Sequence, residues 1–367
     1  MTAQRLQSNP DQSMTILADS GHLRPFITSI FHAAGSDADE ARQIADHLVE
    51  ANLAGHDSHG IGMVPQYMAH RAQGFVHPNR QPQRVGGVEP FMVFDGQMGY
   101  GQPVTNAVVA ATADVARRHG VAVTTLRNVQ HVGRIGAYGD QFSSQGLMAV
   151  MFVNAVYVQP CVAPFRGTDA RLMTNPICIA VPGRAPVLLD FATSAIAMGK
   201  TRVAYNKGEQ LPPGRVIDHR GQPATDPKVI WEDPKGALLP FGEHKGWGLA
   251  FVAELLGGLM ASGPDSSVAP GVPCGLVNGL MMIALQPGRL IDGGWFDAAA
   301  VRLTEYVKAS PAAEAAEPVL VPGEPEQATR ARRDREGIPV DDTTWRQIVA
   351  AAEALGLQAP AFPQLRD

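Results

Sequence analysis

VAVTTLRNVQHVGRIGAYG, residues 121–139, decides the fold class. The opening VAVTTL, rich in β-branched side chains, reads as a strand. Glycines at 133, 136 and 139 follow three apart, at what reads as the start of a helix. Two familiar glycine signatures are missing: the chain has no GxGxxG and no GxxxxGK[ST], so neither a Rossmann fingerprint nor a P-loop is present. Backbone N–H groups at a helix start favour anions, and Arg134 adds a fork of donors. The plainer reading is a glycine-rich helix start with no ligand.

Working outward, LMAVMFV (147–153), ICIAV (177–181), VLLD (187–190) and LMMIAL (280–285) also read as strands. Continuous apolar runs of this kind suit a sheet covered on both faces. Upstream, FMVFDGQMGYG (91–101) reads as a strand with an Asp-Gly turn, and 103–119 as a helix stopped by Gly120. Nearer the N-terminus a helix is expected over about 22–34. Ser36, with Asp39 three positions on, opens a second by a capping-box pattern. Ile44, Ala45, Leu48 and Ala51 share its apolar face, Gly55 supplies a left-handed stop, and a third helix covers 65–73. Past about 296 the chain is helical again, with a Pro/Ala/Glu-rich linker at 310–326 inside that region. The expected class is α/β, a central mixed sheet with N- and C-terminal helical regions. The expected division is a flexible 1–21, a helical 22–80, a central α/β 81–295 binding cofactor and substrate, and a helical 296–367 completing the first lobe.

Composition narrows the function. Apolar residues make up 45% of 367 and charged residues 18%, a globular balance with much to bury, including an oligomer interface. The net charge of −5 and the lack of a basic block argue against nucleic acid. Three widely spaced cysteines point to a reducing compartment and away from a zinc cluster or disulfide scaffold. Neither a secretory leader nor a stretch of membrane-spanning length is visible, so a soluble cytoplasmic protein is expected.

Histidines are the chemical candidates. His56 and His59 lie in GHDSHG (55–60), His131 precedes VGR, and His244 with Lys245 lies in FGEHKGWG (241–248). All sit in glycine-flanked loops, where functional side chains favour a rigid scaffold. Histidine titrates near neutrality and can exchange a proton with an alcohol or alkoxide. The competing reading is a metal site using His56, Asp57, His59 and His131, although HxxH lacks the HExxH pattern. LLDFATSAIAMGK (188–200) reads as a strand–helix junction capped by Thr193 or Ser194, or as a cofactor-binding strand end. MTNPI (173–177) is a turn forced by Asn-Pro or a substrate-facing wall.

Taken in order, AGHDSHGIGMVPQY (54–67), HVGRIGAYG (131–139), VAPFRG (162–167) with TNPI (174–177), LLDFATSAIAMGKTRVAYNKG (188–208), EHKGWGLAFVAELLGG (243–258) and PGE (322–324) resemble the malate/L-lactate dehydrogenase type-2 oxidoreductases. The likeness runs from about residue 22 to 358, nearest the branch reducing 2-oxo acids, aromatic ones included. It implies a non-Rossmann fold that binds NADH or NADPH, a homodimer, and a 2-oxo/2-hydroxy acid substrate. A cyclic-imine reductase is the alternative within that family. The resemblance makes Ser58 and His59 a proton-donating pair and His131 a proton acceptor. Cofactor contacts carry over to His59, Gly133, Arg134, Ile135, Leu188, Leu189, Asp190, Phe191, Ala192, His244, Lys245, Asn278, Gly323, Glu324, Pro325 and Glu326. Substrate contacts fall on Met63, Tyr67, Arg134, Thr174 and Asn175, with no resident metal. Many family members carry an arginine where this chain has Met63. A thioether cannot form arginine's bidentate carboxylate pair but can line an apolar pocket, so an apolar or aromatic substrate side chain is expected. Tyr157 and Val158 are further departures that reshape the same pocket.

Overall fold

A computed structural model describes residues 15–267, 274–314, 317–362 and 364–365. The N-terminal part runs β1 (Thr15–Ala18), α1 (Ser20–Ala33), α2 (Ala38–Leu53) and α3 (Val64–Ala72). β1 and the start of α1 lie within the segment 1–21 expected to be flexible, and residues 1–14 of that expectation lie outside the described residues. Ile16 and Ala18 are buried, and β1 gains two antiparallel partners from the far end of the chain, which local sequence cannot announce. Asp37, not Ser36, caps α2: its carboxylate accepts the Glu40 N–H at 2.8 Å. Ser36 instead donates its hydroxyl to Glu40 Oε1 at 2.6 Å. Both residue types favour a helix start, and Asp37 is the one that directly precedes the first helical residue.

The central part runs β2 (Gln83–Gly86), β3 (Phe91–Asp95), α4 (Gly101–His119), β4 (Val121–Gln130), α5 (Gly136–Ser144), β5 (Met148–Val156), β6 (Ile177–Val181), β7 (Val187–Phe191) and α6 (Met198–Lys207). Then come β8 (Val216–Ile217), β9 (Pro223–Ala224), α7 (Lys228–Trp231), β10 (Ala237–Leu238), α8 (His244–Ala253) and β11 (Val277–Leu285). The last part is α9 (Gly293–Lys308), α10 (Glu324–Glu336), β12 (Ile338–Asp341), α11 (Asp342–Glu353) and β13 (Gln364–Leu365).

Seven strands form one mixed sheet in the order β2-β3-β4-β11-β5-β6-β7. Only β3–β4 is parallel; the other pairs are antiparallel. A late strand, β11, thus sits at the middle, between β4 and β5. Helices α4 and α5 cover one face, where Val104, Val108, Tyr138 and Phe142 pack on Leu126, Met151 and Leu280. Gly120 ends α4 at φ 84°, the left-handed turn expected there.

A second core joins the two ends of the chain. Phe26, Ile27, Ile44 and Leu48 pack with Ile338, Trp345 and Ile348. A third, small cluster surrounds β8, β10 and α6 through Val162, Ala204, Val216 and Leu238. Thr193 and Ser194 do not cap α6, which starts later, at Met198. Thr193 donates its hydroxyl to the Thr174 carbonyl at 2.8 Å instead. Among the described residues no helix is long and apolar enough to cross a membrane.

Candidate active site

Two single 3-10 turns, Asp57–His59 and Ile61–Met63, follow α2. Asn52, on the last turn of α2, clamps them: it donates to Asp57 Oδ1 at 2.6 Å and accepts the Ile61 N–H at 2.8 Å. Gly60 lets this happen, since a Cβ there would lie 2.1 Å from Asn52 Oδ1. Arg333 of α10 grips Asp57 with two bonds of 2.6 and 2.9 Å. His56 faces Glu326 at 3.4 Å. Asp57 and His56 are therefore occupied as structural ties. Among the described residues no three His, Cys, Asp or Glu side chains are arranged to hold a metal ion.

His59 and His131 come together. Their ring centroids lie 5.4 Å apart with the planes 30° from parallel. Ser58 Oγ is 2.9 Å from His59 Nδ1. Gly199 of α6 allows α6 to pack on this serine, because a Cβ at 199 would meet Ser58 Cβ at 2.4 Å. Tyr67, expected to face substrate, sits with its hydroxyl 2.7 Å from His131 Nδ1 and accepts from Gln102 Nε2 at 2.8 Å. With Gln102 donating, the tyrosine oxygen keeps a lone pair for Nδ1–H and can turn its own proton to the His131 carbonyl at 3.5 Å. That assignment leaves His131 Nε2 without a proton and able to accept one.

Crowding by protein sets the titration. His59 is pushed down to about 4, first by burial and then by the charges of His56 and Arg134. His131 is lowered well below its ordinary value, again chiefly by burial, with His59 the next cause. Both residues are half-buried rather than sealed in the core. Two neutral imidazoles with their Nδ1 atoms engaged form an acid–base pair ready to accept a proton.

A glycine-lined cradle adjoins the pair. Gly133, at φ 76°, leaves room for the ring of His47: a Cβ there would fall 2.4 Å from His47 Nε2. His47 is buried, its Nε2 lacks a partner, and burial drives its titration down to about 3. Arg134, 2% exposed at the side chain, lies 3.3 Å from Asp190 and 3.8 Å from Asp140, and its Nε has no hydrogen-bond partner. The Asp190 carboxylate accepts the first N–H of α5, from Gly136, at 2.9 Å. Burial raises the Asp190 titration while Arg134 opposes it. Ile135 is buried behind this turn.

Leu188, Leu189 and Phe191 belong to β7 with Asp190, and Ala192 follows directly. Gly323, at φ 99°, caps α10 beside Leu188, whose N–H bonds Pro322 O at 3.3 Å. Glu324, in the first turn of α10 with Pro325, is ion-paired to Lys308, and Glu326 faces His56. His244 and Lys245 are exposed at the start of α8. The ring of His244 faces Phe165 rather than the histidine pair. Phe241 packs on Phe191 at 5.5 Å and ties that loop to the end of β7.

Asn278 is buried, with both side-chain atoms bonded inward. Asn175 is buried too, donating to Glu254 at 2.6 Å, and Thr174 offers its carbonyl to Thr193. Met63 is half-buried against the core that joins the chain ends. Sequence reasoning missed His47, Asn52, Gln102 and Arg333. No local pattern marks them; each acts through a partner brought close only by folding.

The malate/L-lactate dehydrogenase family matches residues 19–349. Hydroxycarboxylate dehydrogenase B of Escherichia coli is 41% identical over 349 residues, spanning 92% of this chain and 96% of that one. The delta(1)-pyrroline-2-carboxylate/delta(1)-piperideine-2-carboxylate reductase of Pseudomonas putida is 32% identical, spanning 95% and 100%. The solved sulfolactate dehydrogenase of Methanocaldococcus jannaschii superposes with a TM-score of 0.84 at 31% identity, over 94% of this chain and 98% of that one. With the mixed sheet and the missing dinucleotide fingerprint, these likenesses carry one conclusion: the chain is an oxidoreductase that belongs to the malate/L-lactate dehydrogenase family.

Proposed function

We propose that this enzyme interconverts a 2-oxo acid and a 2-hydroxy acid with NADH or NADPH, and that the preferred acid has an apolar or aromatic side chain. The single observation that carries the reading is the meeting of His59 and His131, 5.4 Å apart, beside the cradle of Arg134 and Gly136. The residues suit a phosphate-bearing coenzyme. A Cβ at Gly136 would lie 2.5 Å from Asp190 and 2.6 Å from Arg134, so the turn needs glycine, and buried Arg134, ion-paired to Asp190 through Nε, sets a positive charge beside it. Gly133, Arg134 and Ile135, the end of β7, and Gly323 to Glu326 would hold the coenzyme, with His244 and Lys245 at its edge.

The coenzyme supplies the hydride. The chain supplies the proton: an imidazolium at His59 or His131 gives it to the oxygen that was the ketone, and the neutral ring takes it back in the reverse direction. Tyr67 and Ser58 fix the Nδ1 atoms, leaving each Nε2 for exchange. Met63 brings no charge to the pocket, which suits one substrate carboxylate better than two. The similarity to the pyrroline/piperideine carboxylate reductase supports a second reading, reduction of a cyclic imine.

We infer a homodimer from the apolar face of α8 and the turn after it. Phe251, Val252, Leu259 and Met260 are exposed there, the kind of patch a partner surface covers. A reducing, cytoplasmic setting fits the three free cysteines.

An absorbance assay at the nicotinamide band, with NADH and NADPH against pyruvate, oxaloacetate, phenylpyruvate and a cyclic imine, tests the reading. Turnover of phenylpyruvate in preference to oxaloacetate is expected. No turnover with any of them, and no coenzyme binding by calorimetry, would end it.

A further inference from the structure

Asn278 sits where the ladder between β11 and β4 slips by one residue, between its own position and Leu280. Bulges of this kind recur beside active sites, where they re-aim a side chain. Here the amide points along the strand end and grips the residue after His131. Its Oδ1 accepts the Val132 N–H at 2.9 Å, and its Nδ2 donates to the Asn154 carbonyl at 2.8 Å.

Asn154, on β5, is fully buried and held in turn. Its Oδ1 accepts the Gly279 N–H at 2.9 Å, and its Nδ2 reaches Pro264 O at 3.1 Å and Glu254 Oε1 at 3.3 Å. Glu254 lies in a π-turn, Glu254–Gly258, that continues α8. It is 5% exposed and also accepts from Ser266 N at 2.7 Å and Asn175 Nδ2 at 2.6 Å. Three glycines clear the space around Asn154. Cβ atoms at 257, 258 and 279 would fall 2.8, 2.5 and 2.8 Å from its atoms. The π-turn thus rests directly on the sheet, and polar contacts run unbroken from Glu254 to the backbone beside His131.

We propose that Asn278 is a positioning residue for His131 rather than a cofactor contact, backed by Asn154 and Glu254. The inference rests on the acid–base role proposed above. His131 is held on three sides. Gln130 pairs with Val277 before it, Asn278 grips Val132 after it, and Tyr67 holds its ring. Both polar atoms of Asn278 already bond inward in that grip, and the residue is 4% exposed, which leaves a coenzyme little of the side chain to reach.

Asn278→Asp keeps an oxygen for Val132 but sets a second acceptor against the Asn154 carbonyl. Glu254→Gln, at the far end, turns one acceptor into an NH2 that faces the Asn175 donor. Both full-length variants would be assayed for kcat, KM, coenzyme Kd by calorimetry, thermal midpoint and the pH profile of kcat. The His131 ring would be followed by imidazole 15N NMR without any ligand. Asn278→Asp is expected to lower kcat about tenfold or more, because small misplacements of a catalytic group are costly. Coenzyme Kd should stay within about twofold on the same reasoning, since the bond lost is internal. The pH limb and the His131 resonances should move, and Glu254→Gln should move them the same way by less. A weakened coenzyme Kd with kcat and His131 unmoved would make Asn278 a cofactor contact and overturn the proposal. A loss of kcat that tracks the thermal midpoint, with pH profile and resonances unmoved, would make it simple sheet support and overturn it equally. If wild type turns over no 2-oxo acid, the acid–base reading fails instead; the NMR arm still reports whether Asn278 sets the ring.

Discussion

At the residue scale, the histidine pair separates chemistry from binding. Replacing His131 or His59 with Ala should lower kcat by ~10²–10⁴-fold for whichever ring carries the proton. Coenzyme affinity, read by calorimetry, should survive the His131 change. If both single variants keep near-normal turnover, the acid–base assignment is wrong. The free enzyme holds both rings neutral near pH 7, so oxidation of the hydroxy acid has its base ready. The acid limb of kcat/KM for oxidation should therefore lie below the ordinary histidine value of 6.5, at about 4 if His59 is the base. A limb at 6.5 or above would exclude His59. Met63 governs substrate choice on the same scale. Met63→Arg adds a charge-assisted carboxylate contact of about 1.5–3 kcal/mol, so relative kcat/KM for oxaloacetate over phenylpyruvate should rise about 10–100-fold. An unchanged ratio would place Met63 outside the pocket.

At the element scale, the site depends on how closely α4 approaches the end of β4. A Cβ on Gly101, the first residue of α4, would lie 2.1 Å from the His131 carbonyl oxygen. The neighbour is backbone and cannot swing aside, so Gly101→Ala must shift either the helix or the histidine. A loss of about 1–3 kcal/mol in stability is expected from the overpacking, together with a fall in kcat. Full activity and an unchanged thermal midpoint would mean the helix start yields freely. This contact also shows what a sequence can and cannot reveal. The strands at 121–126, 177–181 and 187–190 were legible because they are short, mainly apolar runs whatever they pair with. Helix α4 was legible because Gly120 stops it. That β11 inserts between β4 and β5, bringing Asn278 to Val132 across 146 positions, is a property of topology that no local period records. Tyr67 enters the sequence reading only through the family resemblance, as a substrate contact. Its hydroxyl meets His131, 64 positions away, through folding that no local pattern records.

At the scale of the whole molecule, the buried histidines link the site to acid stability. His47 and His59 titrate at about 3 and about 4 in the folded chain, against 6.5 when unfolded, because burial penalises the charged ring. Between those values the unfolded chain binds more protons than the folded one. Stability is therefore highest above pH 6.5 and falls as pH drops through 6.5 toward about 3 to 4. Each fully depressed histidine steepens the fall by ~1.4 kcal/mol per pH unit inside that window. His47 is the cleaner probe, since its Nε2 has no hydrogen bond to lose and its ring packs 5.3 Å from Tyr138. His47→Phe keeps an aromatic ring there and removes the proton. Urea unfolding at pH 7 and pH 5 should show the variant losing less stability on acidification than wild type. Equal losses in the two proteins would mean that His47 takes up its proton without unfolding the chain, and that the acid sensitivity lies with other groups, His59, His131 and His70 among them.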